Sequence, residues 1–174
     1  ELFKSPDTWA SLRNSLLLAI SSSLLATVIG TAAAEGIYKM RSKFAKSVIS
    51  SVTNIPMMNP DIVTGVSMML LFVFAGALIG LSERVNFTTL LIAHITFNIP
   101  YVILSVSPKL RQMDKNLVDA AMDLGCTWMQ AFWKVILPEI KPGIVSGALT
   151  AFTMSVDDFI ISYFTAGSSS STLA

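Results

Sequence analysis

The sequence predicts an all-α protein, a bundle of helices that crosses a lipid bilayer several times. Of its 174 residues, 53% are hydrophobic and only 13% are charged, whereas soluble domains are roughly a quarter charged. Residues 14–34, 62–82 and 85–108 contain no Asp, Glu, Lys or Arg. In the third stretch, His94 is the one side chain that can carry a positive charge. Each stretch is long enough for a bilayer core of ~30 Å, which needs about 20 apolar helical residues. Several such lengths in so short a chain argue against buried helices of a soluble protein.

We place the spans in one transmembrane domain, residues 1–174, at about residues 14–34, 61–82, 88–107 and 143–166. Nine of the twelve Lys and Arg residues lie in two connections: Lys39, Arg41, Lys43, Lys46, Lys109, Arg111, Lys115, Lys134 and Lys141. Because basic residues collect on the cytoplasmic side of membrane proteins, these two connections are expected to be cytoplasmic. The net charge of +1 gives no indication of nucleic-acid binding, and the lone Cys126 excludes an internal disulfide.

Apolar residues continue before the second span, from residue 48 onward, and would make too long a helix for one crossing. Pro56 and Pro60 disfavour helix at the residues that precede them. The sequence therefore predicts a short helix, a break at residues 56–60, and then the span. Asp61 would lie in the first turn of the span, where a carboxylate suits the helix dipole; a capping role and a role in a transport path remain equally open.

The connection at residues 109–141 is longer than a simple turn between helices requires. Residues 113–124 predict an amphipathic helix, with Leu117, Ala120, Ala121 and Leu124 near one face. Gly125 is expected to end that helix, because glycine adopts the left-handed conformation that closes helices. A second short helix is predicted at residues 128–136, ending before Leu137 and Pro138. The small side chains allow another backbone to approach closely, which indicates a docking surface.

This connection resembles the "EAA" signature of ABC-importer permease subunits: Glu-Ala-Ala, three residues, Gly, nine residues, Ile, one residue, Leu-Pro. The matching residues are Asp119, Ala120, Ala121, Gly125, Val135, Leu137 and Pro138. The spacing is kept throughout, with Asp119 in place of Glu and Val135 in place of Ile. Residues 58–63, residues 94–97 with Pro100, and residues 155–159 resemble the spermidine/putrescine permeases among these importers. The resemblance covers nearly the whole chain.

The resemblance implies a type I importer core (MetI-like) with six spans, so that this chain would be a fragment of such a subunit. It implies a multi-pass protein of the bacterial inner membrane, with a second permease subunit, a dimeric cytoplasmic ATPase and an external substrate-binding protein as partners. A non-identical second permease subunit is expected, with an identical one as the alternative. Asp119, Ala120, Ala121, Gly125, Leu137 and Pro138 would then couple to the ATPase. The chain has no Gly-x-x-x-x-Gly-Lys-[Ser/Thr] loop, so ATP and Mg are expected in the ATPase. No enzymatic activity, cofactor or metal is expected in this chain.

Two adjacent acids interrupt the last span, Asp157 and Asp158. Asp157 lies about 22 Å along its helix from Pro142. Carboxylates inside a span are costly and usually functional, and no Lys or Arg lies within a span to pair with them. Since neighbours on a helix point about 100° apart, we expect one to line the path and the other to bond to a neighbouring helix; purely structural roles for both are the alternative. A polyamine offers ammonium groups for such a carboxylate, and Phe159 and Tyr163 offer apolar or cation–π contacts.

Three other functions are alternatives to a polyamine importer. An intramembrane aspartyl enzyme needs two carboxylates that face each other, which adjacent residues cannot do, and pairing with Asp61 would join groups from opposite depths. A channel or proton-coupled carrier would not need an ATPase-docking loop. An importer of another solute shares the loop, although the lack of basic residues in the spans disfavours anions. His94 is expected to form a hydrogen bond between helices, with a proton relay as the alternative.

Overall fold

The protein is all-helical in a computed structural model that describes residues 6–58, 61–79 and 87–157. Its helices are α1 (Pro6–Lys39), α2 (Lys43–Met58), α3 (Asp61–Ile79), α4 (Phe87–Gln112), α5 (Lys115–Asp123), α6 (Trp128–Ala131) and α7 (Leu137–Asp157). A five-residue π turn, Phe132–Ile136, joins α6 to α7. This architecture confirms the predicted helical fold class.

The core is a three-helix packing unit in which α1, α4 and α7 each contact the other two. Two glycines allow the closest approaches, because a Cβ added at Gly30 of α1 would lie 2.7 Å from the Cβ of Val102 on α4. A Cβ at Gly147 of α7 would lie 3.2 Å from the Cα of the same valine. The backbones of α1 and α7 thus both pack directly on Val102.

Small residues recur every fourth position along the two helices that face α4. The stripe on α1 is Ser22, Ala26, Gly30 and Ala34, and that on α7 is Gly143, Gly147, Ala151 and Ser155; all eight are buried. One of the pairs is bonded, since the hydroxyl oxygens of Ser22 and Ser155 lie 2.9 Å apart. In a bilayer, where apolar side chains gain nothing by leaving lipid for protein, such stripes let helices associate through van der Waals contact and interhelical hydrogen bonds.

The outer surface of this unit is apolar, as expected of a membrane protein. Val28, on the side of α1 away from α4, is 70% exposed, and Leu24 and Leu149 are similarly exposed. Three helical stretches of the described residues are long and apolar enough to cross a bilayer: Arg13–Lys39, Thr88–Gln112 and Trp128–Asp157. Together with the sequence, these stretches indicate a multi-pass membrane protein.

The second apolar region forms two separate helices, α2 and α3, as predicted. The expected position of the break was partly wrong, since α2 continues through Pro56 to Met58. A helix accommodates a proline where neighbouring groups satisfy the freed carbonyl. Asp61 is the first residue of α3, and the side chain of Phe72 on α3 packs against Ala93 and Phe97 of α4.

The prediction that a helix ends before Leu137 and Pro138 was wrong. Helical structure runs from Trp128 to Asp157 as one element of 30 residues. At the π turn, the N–H of Leu137 donates to the carbonyl of Phe132, five residues earlier. This wider turn falls where the ring of Pro138 would otherwise clash with the carbonyl four residues before it, and so the helix passes through the proline.

We expect Gly30→Leu to destabilise the protein by about 1–3 kcal/mol, because the added side chain would force α1 away from Val102. Gly36→Leu is the matched control, since Gly36 lies on the same helix with nothing within 4 Å of an added Cβ. Thermal unfolding of both variants in detergent measures the difference. Equal melting temperatures would contradict the close packing of α1 on α4.

Candidate functional site

The first helix of the predicted coupling loop (residues 109–141), α5, has a defined cap at each end. At its start, the carboxylate of Asp114 accepts a hydrogen bond from the backbone N–H of Asn116 at 2.9 Å. At its end, the N–H of Cys126 donates to the carbonyl of Ala121, and the N–H of Gly125 donates to that of Met122. Gly125 has a φ of 86°. These two bonds around a left-handed glycine form a Schellman motif, which confirms the predicted role of Gly125.

The turn between α5 and α6 is short and is closed by a second cap. The backbone N–H of Thr127 donates to Oε1 of Gln130 at 2.9 Å. The N–H of Gln130 in turn donates to the Thr127 hydroxyl at 3.4 Å. This reciprocal capping box starts α6 at Trp128. The glycine of the signature and the capping box together set the angle between α5 and α6.

The coupling loop presents an apolar surface that this chain leaves exposed. Leu124, beside the capping glycine, is 87% exposed. The other large exposed apolar residues of the loop are Leu117, Met122, Trp128, Met129 and Trp133. An exposed patch of this kind, rimmed by polar residues, is typical of a protein–protein contact.

The six residues predicted to couple to an ATPase lie on this loop but differ in exposure. Asp119 and Ala120 are exposed on α5, whereas Ala121, one residue further, is buried against the rest of the chain. Leu137 is half-buried and Pro138 is exposed, at the start of α7. Asp119 and Ala120 therefore face outward, and Ala121 anchors α5.

A lysine at the end of α1 holds α6 in place. The Nζ of Lys39 lies 3.1 Å from Oε1 of Glu35 and 3.1 Å from the ring centroid of Trp128. The contact with Glu35 is an ion pair whose geometry is not that of a hydrogen bond. The contact with Trp128 is a cation–π interaction. Because Glu35 is only 8% exposed, this group connects the buried face of α1 to the first residue of α6.

Aromatic stacking extends this contact along the loop. The ring of Phe132 stacks on Trp128 with centroids 5.7 Å apart, and it meets the ring of Trp133 edge-on at the same centroid distance. A cleft of 510 Å³ lies beside the group, with Asp119 of α5 and Lys39 of α1 among its lining residues. The outward-facing acid of the signature thus lies at the same cleft as the Lys39 contact.

The sequence analysis did not identify Glu35, Lys39 or Trp128 as residues of the functional site. A local signal was present, because Glu35 and Lys39 are four residues apart at the end of a charge-free stretch and so face the same side of a helix. Nothing local indicates that the lysine also lies over Trp128, which is 89 positions further along the chain. That contact depends on how α1 packs beside the loop.

The residues predicted to line a substrate path are described only in part. Asp157 is exposed at the last described position of α7. It lies two residues after Ser155, which bonds to α1, so it points about 200° away from that contact. Asp158, Phe159 and Tyr163 lie outside the described residues, and the side chain of Asp61 does as well. The division of roles between Asp157 and Asp158 stays a prediction.

The prediction that His94 forms a hydrogen bond to another helix was wrong. The Nδ1 of His94 lies 2.9 Å from the carbonyl of Leu90, one turn earlier on the same helix. Since a carbonyl only accepts hydrogen bonds, Nδ1 carries the proton. A buried polar side chain on a helix can reach the carbonyl four residues earlier, and here that bond satisfies one ring nitrogen without a second helix.

Residues 26–173 match the model of the family "Binding-protein-dependent transport system inner membrane component". The chain is 35% identical over 173 residues to the putrescine transport system permease protein PotI of Escherichia coli strain K12. The matched region covers 99% of this chain and 62% of that protein. It is 36% identical over 166 residues to the spermidine/putrescine transport system permease protein PotC of Haemophilus influenzae, covering 95% and 62%. The chain therefore spans about three-fifths of the length of the curated relatives it matches.

Replacing Gly125 is expected to loosen the end of α5. Gly125→Ala places a Cβ in the left-handed region, at a cost of about 1–2 kcal/mol, although the site has open space around it. Hydrogen exchange of the amides of Gly125 and Cys126 should accelerate by about 5–30-fold in proportion to that cost. Gly125→Asn should have a smaller effect, because asparagine tolerates this conformation. An unchanged exchange rate in Gly125→Ala would contradict the cap.

A double-mutant cycle measures the Lys39 contact. Lys39→Met and Trp128→Leu should be non-additive by about 0.5–2 kcal/mol, the size of a cation–π interaction. Thermal unfolding of the two single variants and the double variant gives this value. The same cycle with Trp133→Leu is the control, because the exposed Trp133 has its ring contact with Phe132 instead. Equal coupling in both cycles would rule out a specific contact between Lys39 and Trp128.

Proposed function

Because this chain belongs to the family of binding-protein-dependent transport system inner membrane components, we propose that it forms part of the permease of an ATP-driven importer of polyamines. In this proposal, the coupling loop docks on a cytoplasmic ATPase. ATP-driven closure of the ATPase then moves the loop, and the attached helices alternate between inward and outward openings. Conformational changes of this kind proceed through rigid elements with two discrete arrangements.

The observation that carries the proposal is the unbroken helix from the coupling loop to Asp157. Trp128–Asp157 is a single element of 30 residues, about 45 Å in length. One end holds the exposed aromatic surface of the loop, and the other end holds the first of the two acids. A displacement at the docking surface would therefore reach Asp157 through one continuous helix.

The π turn at Phe132–Ile136 supports a mechanical role for this helix. Such turns occur often at functional positions within helices and are points where a helix bends. Here the turn lies between the docking surface and the membrane portion of α7. The Lys39 contact gives α1 a second connection to the loop, so that α1 and α7 would move together.

The cargo is proposed to be cationic, because the last span carries the acids Asp157 and Asp158. An exposed carboxylate on a membrane helix needs a partner, and the ammonium groups of spermidine or putrescine supply charge-assisted hydrogen bonds. Phe159 and Tyr163 would contact the methylene chain or the charge. The names of the similar proteins PotI and PotC include putrescine and spermidine/putrescine, which supports this class of cargo.

The proposal also includes the partners and the location. The chain would act in the bacterial inner membrane beside a second permease subunit, with two ATPase copies inside and a substrate-binding protein outside. The chain itself would catalyse no reaction, since ATP and Mg would bind to the ATPase. The matched family's description, which specifies binding-protein-dependent transport and an inner membrane component, supports this arrangement.

Neutralising the acids should reduce transport. Asp157→Asn or Asp158→Asn removes a charge-assisted hydrogen bond worth about 1.5–3 kcal/mol, so at least one variant should lower the uptake of labelled putrescine or spermidine about ten-fold or more at low concentration. Uptake by cells that carry the complete transporter measures this. Co-purification with the ATPase is the internal control, because both acids follow the coupling loop (residues 109–141) by more than 15 positions in the sequence.

The coupling assignment needs a separate measurement. Asp119→Lys reverses the charge of an exposed signature residue and should reduce co-purification of the ATPase and uptake together. Asp7→Lys makes the same change at the far end of the sequence and should leave both unchanged.

Two results would contradict the proposal. Full uptake in both Asp→Asn variants would disprove the cationic path, and transport that continues without any ATPase would disprove the importer.

A further inference from the structure

A second, basic cleft lies between α2 and the end of α4, next to the cleft that Asp119 and Lys39 line. Its volume is 610 Å³, and its cations are Lys43 and Lys46 of α2 and Arg111 of α4. None of its described lining residues is acidic. Three positive side chains around one cleft repel one another unless an anion lies between them.

The charges of this cleft are not neutralised by the described part of the chain. The Nζ of Lys46 donates to the carbonyl of Tyr38 at 3.1 Å and lies 5.1 Å from the centroid of the Tyr38 ring. These contacts satisfy one of its three donors and supply no negative charge. Within residues 6–58, 61–79 and 87–157, the ion pair that forms nearby joins Lys39 to Glu35 instead. Lys43 and Arg111 are both exposed. The cleft is therefore suited to an anionic ligand with several acceptor atoms.

Neutral donors complete the lining on one face of α2. Ser47, Ser50, Ser51 and Asn54 follow at helical spacing and all line the cleft. The serines of α1 bond to carbonyls of their own helix, as Ser21 does to Leu17. In the described structure, the three α2 hydroxyls have no such bond, so they are available to phosphate oxygens.

The opposite face of α2 is apolar and is suited to a bilayer surface. Phe44 is 81% exposed, and Val48, Val52 and Ile55 continue the exposed apolar face at helical spacing. A helix with cations on its polar face and large apolar residues on the other is typical of the membrane interface. With the apolar face in the acyl region, the cleft lies at the level of the lipid headgroups.

We propose that this cleft binds the phosphate headgroup of an anionic phospholipid, with Lys43, Lys46 and Arg111 as its cationic contacts. The site is separate from the polyamine path, and its positive charge would repel that cargo. The cleft that Asp119 and Lys39 line shares Lys43 and Lys46 with it, so a bound lipid would stiffen the region where α1 and α2 meet the loop. Basic pockets at the cytoplasmic ends of membrane helices are known to bind such headgroups.

The test measures lipid binding to the complete permease, purified in a neutral detergent and titrated with phosphatidylglycerol or phosphatidylcholine. Native mass spectrometry counts the bound lipids, and neither cargo nor ATPase is needed. Phosphatidylglycerol should bind more tightly than phosphatidylcholine. The double variant Lys43→Gln with Arg111→Gln should bind phosphatidylglycerol roughly 25-fold more weakly, because each cation near a membrane surface contributes about five-fold to the affinity.

The matched control is Lys134→Gln with Lys141→Gln, which removes two exposed cations of the coupling loop. This variant should bind phosphatidylglycerol within two-fold of the unaltered protein. Equal losses in the two double variants would overturn the proposal, because the attraction would then be that of the whole basic surface. Equal binding of the two lipids would overturn it as well.

Two further arms separate a lipid from a soluble phosphate. Glycerol 3-phosphate at the same concentrations should fail to displace phosphatidylglycerol, and complete displacement would show that the cleft takes a soluble anion. Phe44→Ser should weaken lipid binding at least three-fold, since it removes apolar contact beside the headgroup. Phe44 is exposed, so this variant should keep the unaltered melting temperature, and unchanged lipid binding would contradict a bilayer-facing α2.

Discussion

The close approach of three backbones at Val102 is the contact on which the rest of the structure depends. In water, the hydrophobic effect would hold α1, α4 and α7 together, but a bilayer supplies no such drive between apolar helices. Gly30 and Gly147 remove the side chains that would hold their backbones away from Val102. The bond between Ser22 and Ser155 then adds a polar contact between α1 and α7. The bundle therefore keeps an apolar exterior, and large apolar side chains such as Val106, Leu110 and Ile140 fill the core beside these close backbone contacts.

This packing also determines what the coupling loop can move. Its helix α6 is joined to α7 covalently, through the π turn, and to α1 through the contact of Lys39 with Trp128. Both helices pack on α4, so a displacement of the loop acts on the same three-helix unit from two sides. Because close-packed interfaces shift between discrete arrangements and do not deform continuously, such a unit is suited to switching between two openings.

Local chemistry allowed the sequence to predict the membrane fold, the two helices α2 and α3, and the glycine that closes α5. A left-handed cap needs only the conformational freedom of Gly125, which its spacing after an amphipathic segment reveals. Pro138 misled the prediction because a proline usually stops a helix, and no local pattern distinguishes the π turn that carries the helix past it. Trp128 was missed because its partner Lys39 is distant in sequence, and the partner of His94 was assigned to another helix when its own helix supplied it.

The distribution of charge along the bundle ties these features together. The described membrane portion of α7 carries its acid, Asp157, at the end far from the coupling loop, whereas the cations of α2 and α4 gather beside the loop. A cationic cargo would be attracted to the acidic end and repelled at the basic end, so the binding of cargo to the inward side would be weak. An anionic headgroup in the basic cleft would lower that repulsion. The lipid composition of the membrane would then affect cargo release through electrostatics alone, without any contact between lipid and cargo.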